Sequence, residues 1–121
     1  MAIIAGIADF TVAKRNDFPL KLTFKDGNGD AMDLTGYTVE GEVYNEDRTT
    51  KFADWSVVYT SRGTGVIDIK LDDTDTTNFT LPTLFYDIQL TEPSGDKFQY
   101  LKGTLYITEG YTSWAHQIKS L

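Results

Sequence analysis

Apolar and polar residues alternate with a period of two through most of this chain, and no other feature of the sequence constrains the fold as tightly. Phe18, Leu20, Leu22 and Phe24 alternate with Pro19, Lys21 and Thr23. Successive strand side chains point to opposite faces, so this spacing puts the four apolar groups on one face. The pattern returns at Val39, Gly41 and Val43, at Ile67, Ile69 and Leu71, and at Tyr86, Ile88 and Leu90. It appears again at Leu101, Leu105 and Ile107, beside Gly103. Phe52 to Thr60 reads as one further strand, containing Trp55, Val57 and Tyr59. A glycine at the inward position 41 leaves room for a bulky side chain from the facing sheet. Pro19 has no N–H, so its strand belongs at an edge or starts there.

Turn chemistry separates these runs. Asp26-Gly27-Asn28-Gly29-Asp30, Ser61-Arg62-Gly63-Thr64-Gly65 and Glu92-Pro93-Ser94-Gly95-Asp96 are dense in residues that tolerate tight turns. Asp72 to Asn78 is rich in helix-capping Asp and Thr, which predicts a single helical turn closed by Pro82. Roughly seven or eight short strands, with turns about every 8–12 residues, predict an all-β sandwich or barrel. No stretch has the organisation of a βαβ unit, which argues against parallel sheets.

The 121 residues are enough for one domain. Residues 12–110 hold the strand pattern. Residues 1–11 read as an N-terminal arm or lead-in strand, and residues 111–121 as a C-terminal tail. With no cysteine, a disulfide framework, a thiolate nucleophile and a Cys-based metal site are excluded. Eleven Lys and Arg against eighteen Asp and Glu give a net charge of −7, which argues against nucleic acid as a partner. No apolar run approaches the length of a membrane span, and the N-terminus lacks the basic start of a signal peptide.

Three places invite a chemical reading. Asp26 to Asp30 opens like a calcium loop, with oxygen ligands at the first, third and fifth positions. The match then breaks, because Ala31 stands where glycine is needed and Tyr37 where a bidentate glutamate is needed. Asp72, Asp73 and Asp75 cluster beside Thr and Asn, the composition of a solvated, helix-capping turn. His116 is the only histidine, and no nucleophile, Walker or dinucleotide motif accompanies it. The reading is therefore no catalytic residue, no cofactor and no metal. Trp55, Tyr59 or Trp114 could form a sugar-stacking platform, although strand aromatics usually serve packing. Large apolar groups in terminal segments point to interfaces. Ile3, Ile4, Ile7, Phe10 and Val12 at one end, and Tyr111, Trp114 and Ile118 at the other, are the candidate contact residues.

Four segments carry a further likeness: Arg15 to Phe24, Lys25 to Val39, Phe85 to Thr91 and Tyr100 to Gly110. Their order resembles small tailed-bacteriophage virion proteins with an immunoglobulin-like β-sandwich. Similar modules form the N-terminal domain of baseplate upper proteins and lie beside tail-fibre components. The resemblance spans residues 12–110 and rests on strand and turn patterns. It implies an immunoglobulin-like antiparallel β-sandwich with extended terminal arms and no active site. It implies a structural role in the virion, after synthesis in the host cytoplasm. Other virion proteins, and copies of the chain in a symmetric ring or lattice, would be the partners. Such proteins often continue into receptor-binding or fibre domains. This chain stops at Leu121, which favours a tail, baseplate or fibre-attachment connector, with capsid decoration as the alternative. A carbohydrate-binding module is the alternative outside that class.

Overall fold

The computed structural model describes residues 6–109, and they form nine strands in two sheets. The strands are β1 (Gly6–Ile7), β2 (Phe10–Ala13), β3 (Phe18–Thr23), β4 (Thr38–Tyr44) and β5 (Lys51–Asp54). They continue with β6 (Ser56–Ser61), β7 (Val66–Leu71), β8 (Thr83–Thr91) and β9 (Lys97–Thr108). The larger sheet runs β1-β9-β8-β4-β5, with β2 also on β9, and the smaller runs β3-β7-β6. This strand order defines an immunoglobulin-like sandwich: β3, β7 and β6 take the places of B, E and D, and β9, β8, β4 and β5 those of G, F, C and C′. The core lies between the sheets and is lined by the inward positions that the alternation marks. Ile67, Ile69, Leu71, Tyr86, Ile88 and Leu90 are all buried. Among the described residues no helix is long and apolar enough to cross a membrane.

Three features depart from the sequence reading. Phe52 to Thr60 is not one strand. The chain leaves the larger sheet after Asp54 and enters the smaller one at Ser56. Trp55 sits at this switch, buried, with its ring 5.7 Å from that of Tyr86 and 6.1 Å from that of Phe18. The Trp55 backbone N–H donates to the Gly41 carbonyl at 2.9 Å. Gly41 makes the room: a Cβ there would lie 2.6 Å from Ile88 Cδ1 and 2.8 Å from Trp55 Cδ1. The bulky group expected at Gly41 is thus the crossover tryptophan.

Pro82 does not close the helical turn. Helix α1 (Asp73–Thr77) ends earlier, capped at Asn78, because Phe79 turns fully into the core. Pro82 instead precedes β8, and its carbonyl accepts the Ile107 N–H at 2.9 Å. Finally, β1 and β2 run parallel to β9 in an otherwise antiparallel sandwich. They reach β9 by lying along the larger sheet, which leaves β3 as a free edge of the smaller one. That edge position is what Pro19 tolerates.

Candidate interaction surface

The N-terminal strands are held on β9 by a notch. Between β1 and β2 the chain breaks at Ala8-Asp9, and the Ala8 carbonyl drops over Gly103. A Cβ on Gly103 would stand 1.8 Å from that oxygen, so only glycine fits. The Tyr86 hydroxyl donates to the same carbonyl at 2.7 Å. Asp9 Oδ1 accepts the Thr104 N–H at 2.9 Å, and the Ala8 N–H donates to Lys102 O at 2.9 Å. Burial raises the Tyr86 phenol well above its ordinary pKa, and the Asp9 charge adds to the effect. The ladder ends where Lys14 N–H donates to Thr108 O at 2.9 Å, and Lys14 and Arg15 both reach the Glu109 carboxylate.

The candidate contact residues separate on this frame. Val12 is fully buried in the core of its own chain, so in this fold it presents no surface to another. It points inward because β2 pairs with β9 in register Val12 to Ile107. Phe10 is half-buried, its ring 5.6 Å from Phe18 and 6.0 Å from Tyr86. Ile7 is 73% exposed on β1, opposite Lys102. Ile3, Ile4, Tyr111, Trp114 and Ile118 lie outside the described residues, as does His116.

The structure adds apolar groups that the sequence reading missed. Val58, Tyr106 and Leu81 are exposed, at 61%, 50% and 41%. Val58 was legible in principle: it follows Val57, and two adjacent strand residues cannot both face inward. The same holds for Tyr106 between Leu105 and Ile107. Free edges also differ. β3 carries Pro19 and Lys21, and β5 is four residues long with Lys51 and Asp54, devices that discourage further pairing. β6 has neither charge nor proline, but its pairing with β7 is interrupted by a register shift after Val58.

The acidic clusters serve local structure. Asp26 Oδ1 accepts the N–H groups of Asn28 and Asp30 at 2.8 and 3.0 Å, closing the turn on itself. Asp75 Oδ2 accepts the Asp72 N–H at 3.2 Å and closes the start of α1. Asp17 Oδ1 accepts the Asp73 N–H at 2.8 Å. Among the described residues no three His, Cys, Asp or Glu side chains converge to hold a metal ion. Two of the three proposed sugar platforms are occupied internally. Trp55 is buried. Tyr59 lies beneath the Arg62 guanidinium at 3.7 Å and accepts the Val39 N–H at 2.9 Å. Trp114 lies outside the described residues.

No protein-family model matches the chain, and no curated protein matches it. Solved structures that are similar include two of different origin. One is described as the N-terminal domain of phage TP901-1 ORF48, with 13% identity, a TM-score of 0.49, and coverage of 86% of this chain and 84% of that one. The other is the Lin-41 filamin domain, with 14% identity, a TM-score of 0.43, and coverage of 88% and 84%. The assignment to the immunoglobulin-like class rests on the strand order itself.

Proposed function

We propose that this protein is a non-enzymatic structural component of a tailed-bacteriophage virion, a connector module in a tail, baseplate or fibre-attachment ring. The observation that carries the connector role is the course of the chain through the sandwich. Because β1 and β2 run parallel to β9, the first described residue lies beside Leu101, while β9 ends at Thr108, seven residues further along the same strand. The seven-residue difference in level corresponds to about 23 Å at the rise of a strand. A module threaded in this way can join one neighbour at each end. The virion class is supported by the likeness of residues 12–110 to phage structural modules. Exposed Ile7 and Tyr106, on adjoining strands of one sheet, offer apolar surface to such neighbours.

Electron microscopy of particles carrying an epitope-tagged chain tests the reading. Label on the tail or baseplate is the expected result. Label on the capsid surface converts the role to decoration, and particles without label overturn the virion assignment. Deleting residues 111–121 is expected to weaken incorporation while the purified chain keeps its strand content. Normal incorporation of the truncated chain removes the tail as a contact.

A further inference from the structure

We propose that the β1–β2 segment exchanges between copies, so that residues 6–13 of one chain fill the β9 edge and the Gly103 notch of a second copy. The inference deepens the connector reading by naming the partner, a second copy of this chain, and the surface it takes.

Three observations carry it. The first is the joint. β2 and β3 are linked by Lys14-Arg15-Asn16-Asp17 alone, and Arg15 sits at φ 67°, the left-handed region that L-residues adopt under strain. Short strained hinges favour exchange, because opening releases the strain while every other contact is remade on the partner. The second is that the pivot is defined. Downstream of Arg15 the chain is anchored: Thr76 Oγ1 donates to Asn16 O at 2.8 Å, and Asp73 N–H donates to Asp17 Oδ1 at 2.8 Å. Upstream, the segment belongs to the β9 ladder. Movement therefore concentrates at Arg15. The third is that the receiving site is shaped for this backbone and needs it. Without the segment, Tyr86 OH loses its acceptor, Phe10 and Val12 leave the core, and the Gly103 notch stands open. A vacated site of that kind is filled by the same segment from whichever chain supplies it. The occupant is thus dictated by the Ala8 carbonyl, the Asp9 carboxylate and the Val12 side chain.

The absence of native cysteine makes the test clean. Thr11 and Tyr106 stand opposite one another in the β2–β9 ladder. Full-length Thr11→Cys and Tyr106→Cys chains are mixed at high concentration, incubated, oxidised and peptide-mapped. A bond between positions 11 and 106 then joins two different chains, and exchange raises its share above that of chance collision, which the 11–11 and 106–106 links report. The double variant, diluted, confirms that the pair can bond within one chain. The 11–106 link is expected to dominate the mixed sample. Arg15→Gly, which adopts positive φ freely, should lower its yield about fivefold or more, a ratio matched to the strain it removes. Arg15→Pro, which forbids positive φ, should raise the yield and shift the chain to dimers or larger species by light scattering. An 11–106 share no higher than the 11–11 and 106–106 links imply for chance collision, and unmoved by Arg15→Gly, overturns exchange. That failure leaves the connector reading standing, since particle labelling tests it separately.

Discussion

Gly103→Ala is the sharpest single perturbation of the way the N-terminal strands are held. The added methyl would lie 1.8 Å from the Ala8 oxygen and 2.7 Å from its carbonyl carbon, both backbone atoms that cannot rotate away. The Ala8-Asp9 link must therefore lift. Lifting it separates the Tyr86 hydroxyl from its acceptor, and leaving that pair unmet in a buried setting costs about 1–3 kcal/mol. Overpacking and loss of the Asp9 to Thr104 bond add to this, and release of the short β1 strand limits the total. The expected loss is about 2–4 kcal/mol, a fall in Tm of about 10 °C for a domain of this size. Urea unfolding followed by circular dichroism measures it, and hydrogen exchange at Ala8 and Thr104 locates it. Tyr86→Phe should cost about 1–2 kcal/mol alone. In the Gly103→Ala background it should cost almost nothing, because the acceptor has already moved. Full additivity of the two, or a loss below about 0.5 kcal/mol for Gly103→Ala, would refute the reasoning.

Other consequences are equally direct. Gly41→Ala forces a methyl against Ile88, Trp55 and the Asp87 carbonyl, and is expected to cost about 2–3 kcal/mol and shift tryptophan emission. Arg62 donates to Leu34 O and Tyr37 O at 3.0 and 2.8 Å while stacked on Tyr59. Arg62→Ala should cost about 2–3 kcal/mol by urea unfolding, and Arg62→Lys should recover less than half, since an ammonium has no flat face to stack on the Tyr59 ring. Tyr86 has its pKa raised above the ordinary value of 10.0 by burial, so above pH 10 the unfolded chain loses the proton while the folded chain keeps it. Stability should thus be flat through neutral pH and fall above pH 10 by about 1.4 kcal/mol per pH unit for each such phenol. Tyr37 and Tyr44 are raised in the same direction, so Tyr86→Phe should reduce the slope of urea midpoint against pH without abolishing it.

The alternation located most strands because burial on one face is written locally. Ile67, Ile69 and Leu71 read as inward, and they are. What the alternation does not carry is sheet membership. The run from Phe52 to Thr60 keeps its rhythm across Trp55 although the chain changes sheets there. Nor does it carry long-range pairing. Val12 looked like a terminal contact because an apolar residue near a chain end has the same local signature whether it faces a partner or its own core. The register with Ile107 decides, and that partner is distant in sequence. The inward position of Gly41 was legible as a request for space, but the ring that uses the space was not. Ile3, Ile4, Tyr111, Trp114 and Ile118 lie beyond residues 6–109.

The parallel course of β2 and β9 also sets how the module would respond to pulling force. A load applied through its two ends draws β2 and β9 in opposite directions along their own length. The ladder bonds between Phe10–Ala13 and their partners Leu105–Thr108 then lie across the force and share it. They cannot open one at a time, as they would in a hairpin peeled from its tip. Rupture under load is governed by the unfolding rate, so this arrangement raises the barrier that matters to a part under tension. The notch at Gly103, which fixes the N-terminal strands sideways, is then also their mechanical stop.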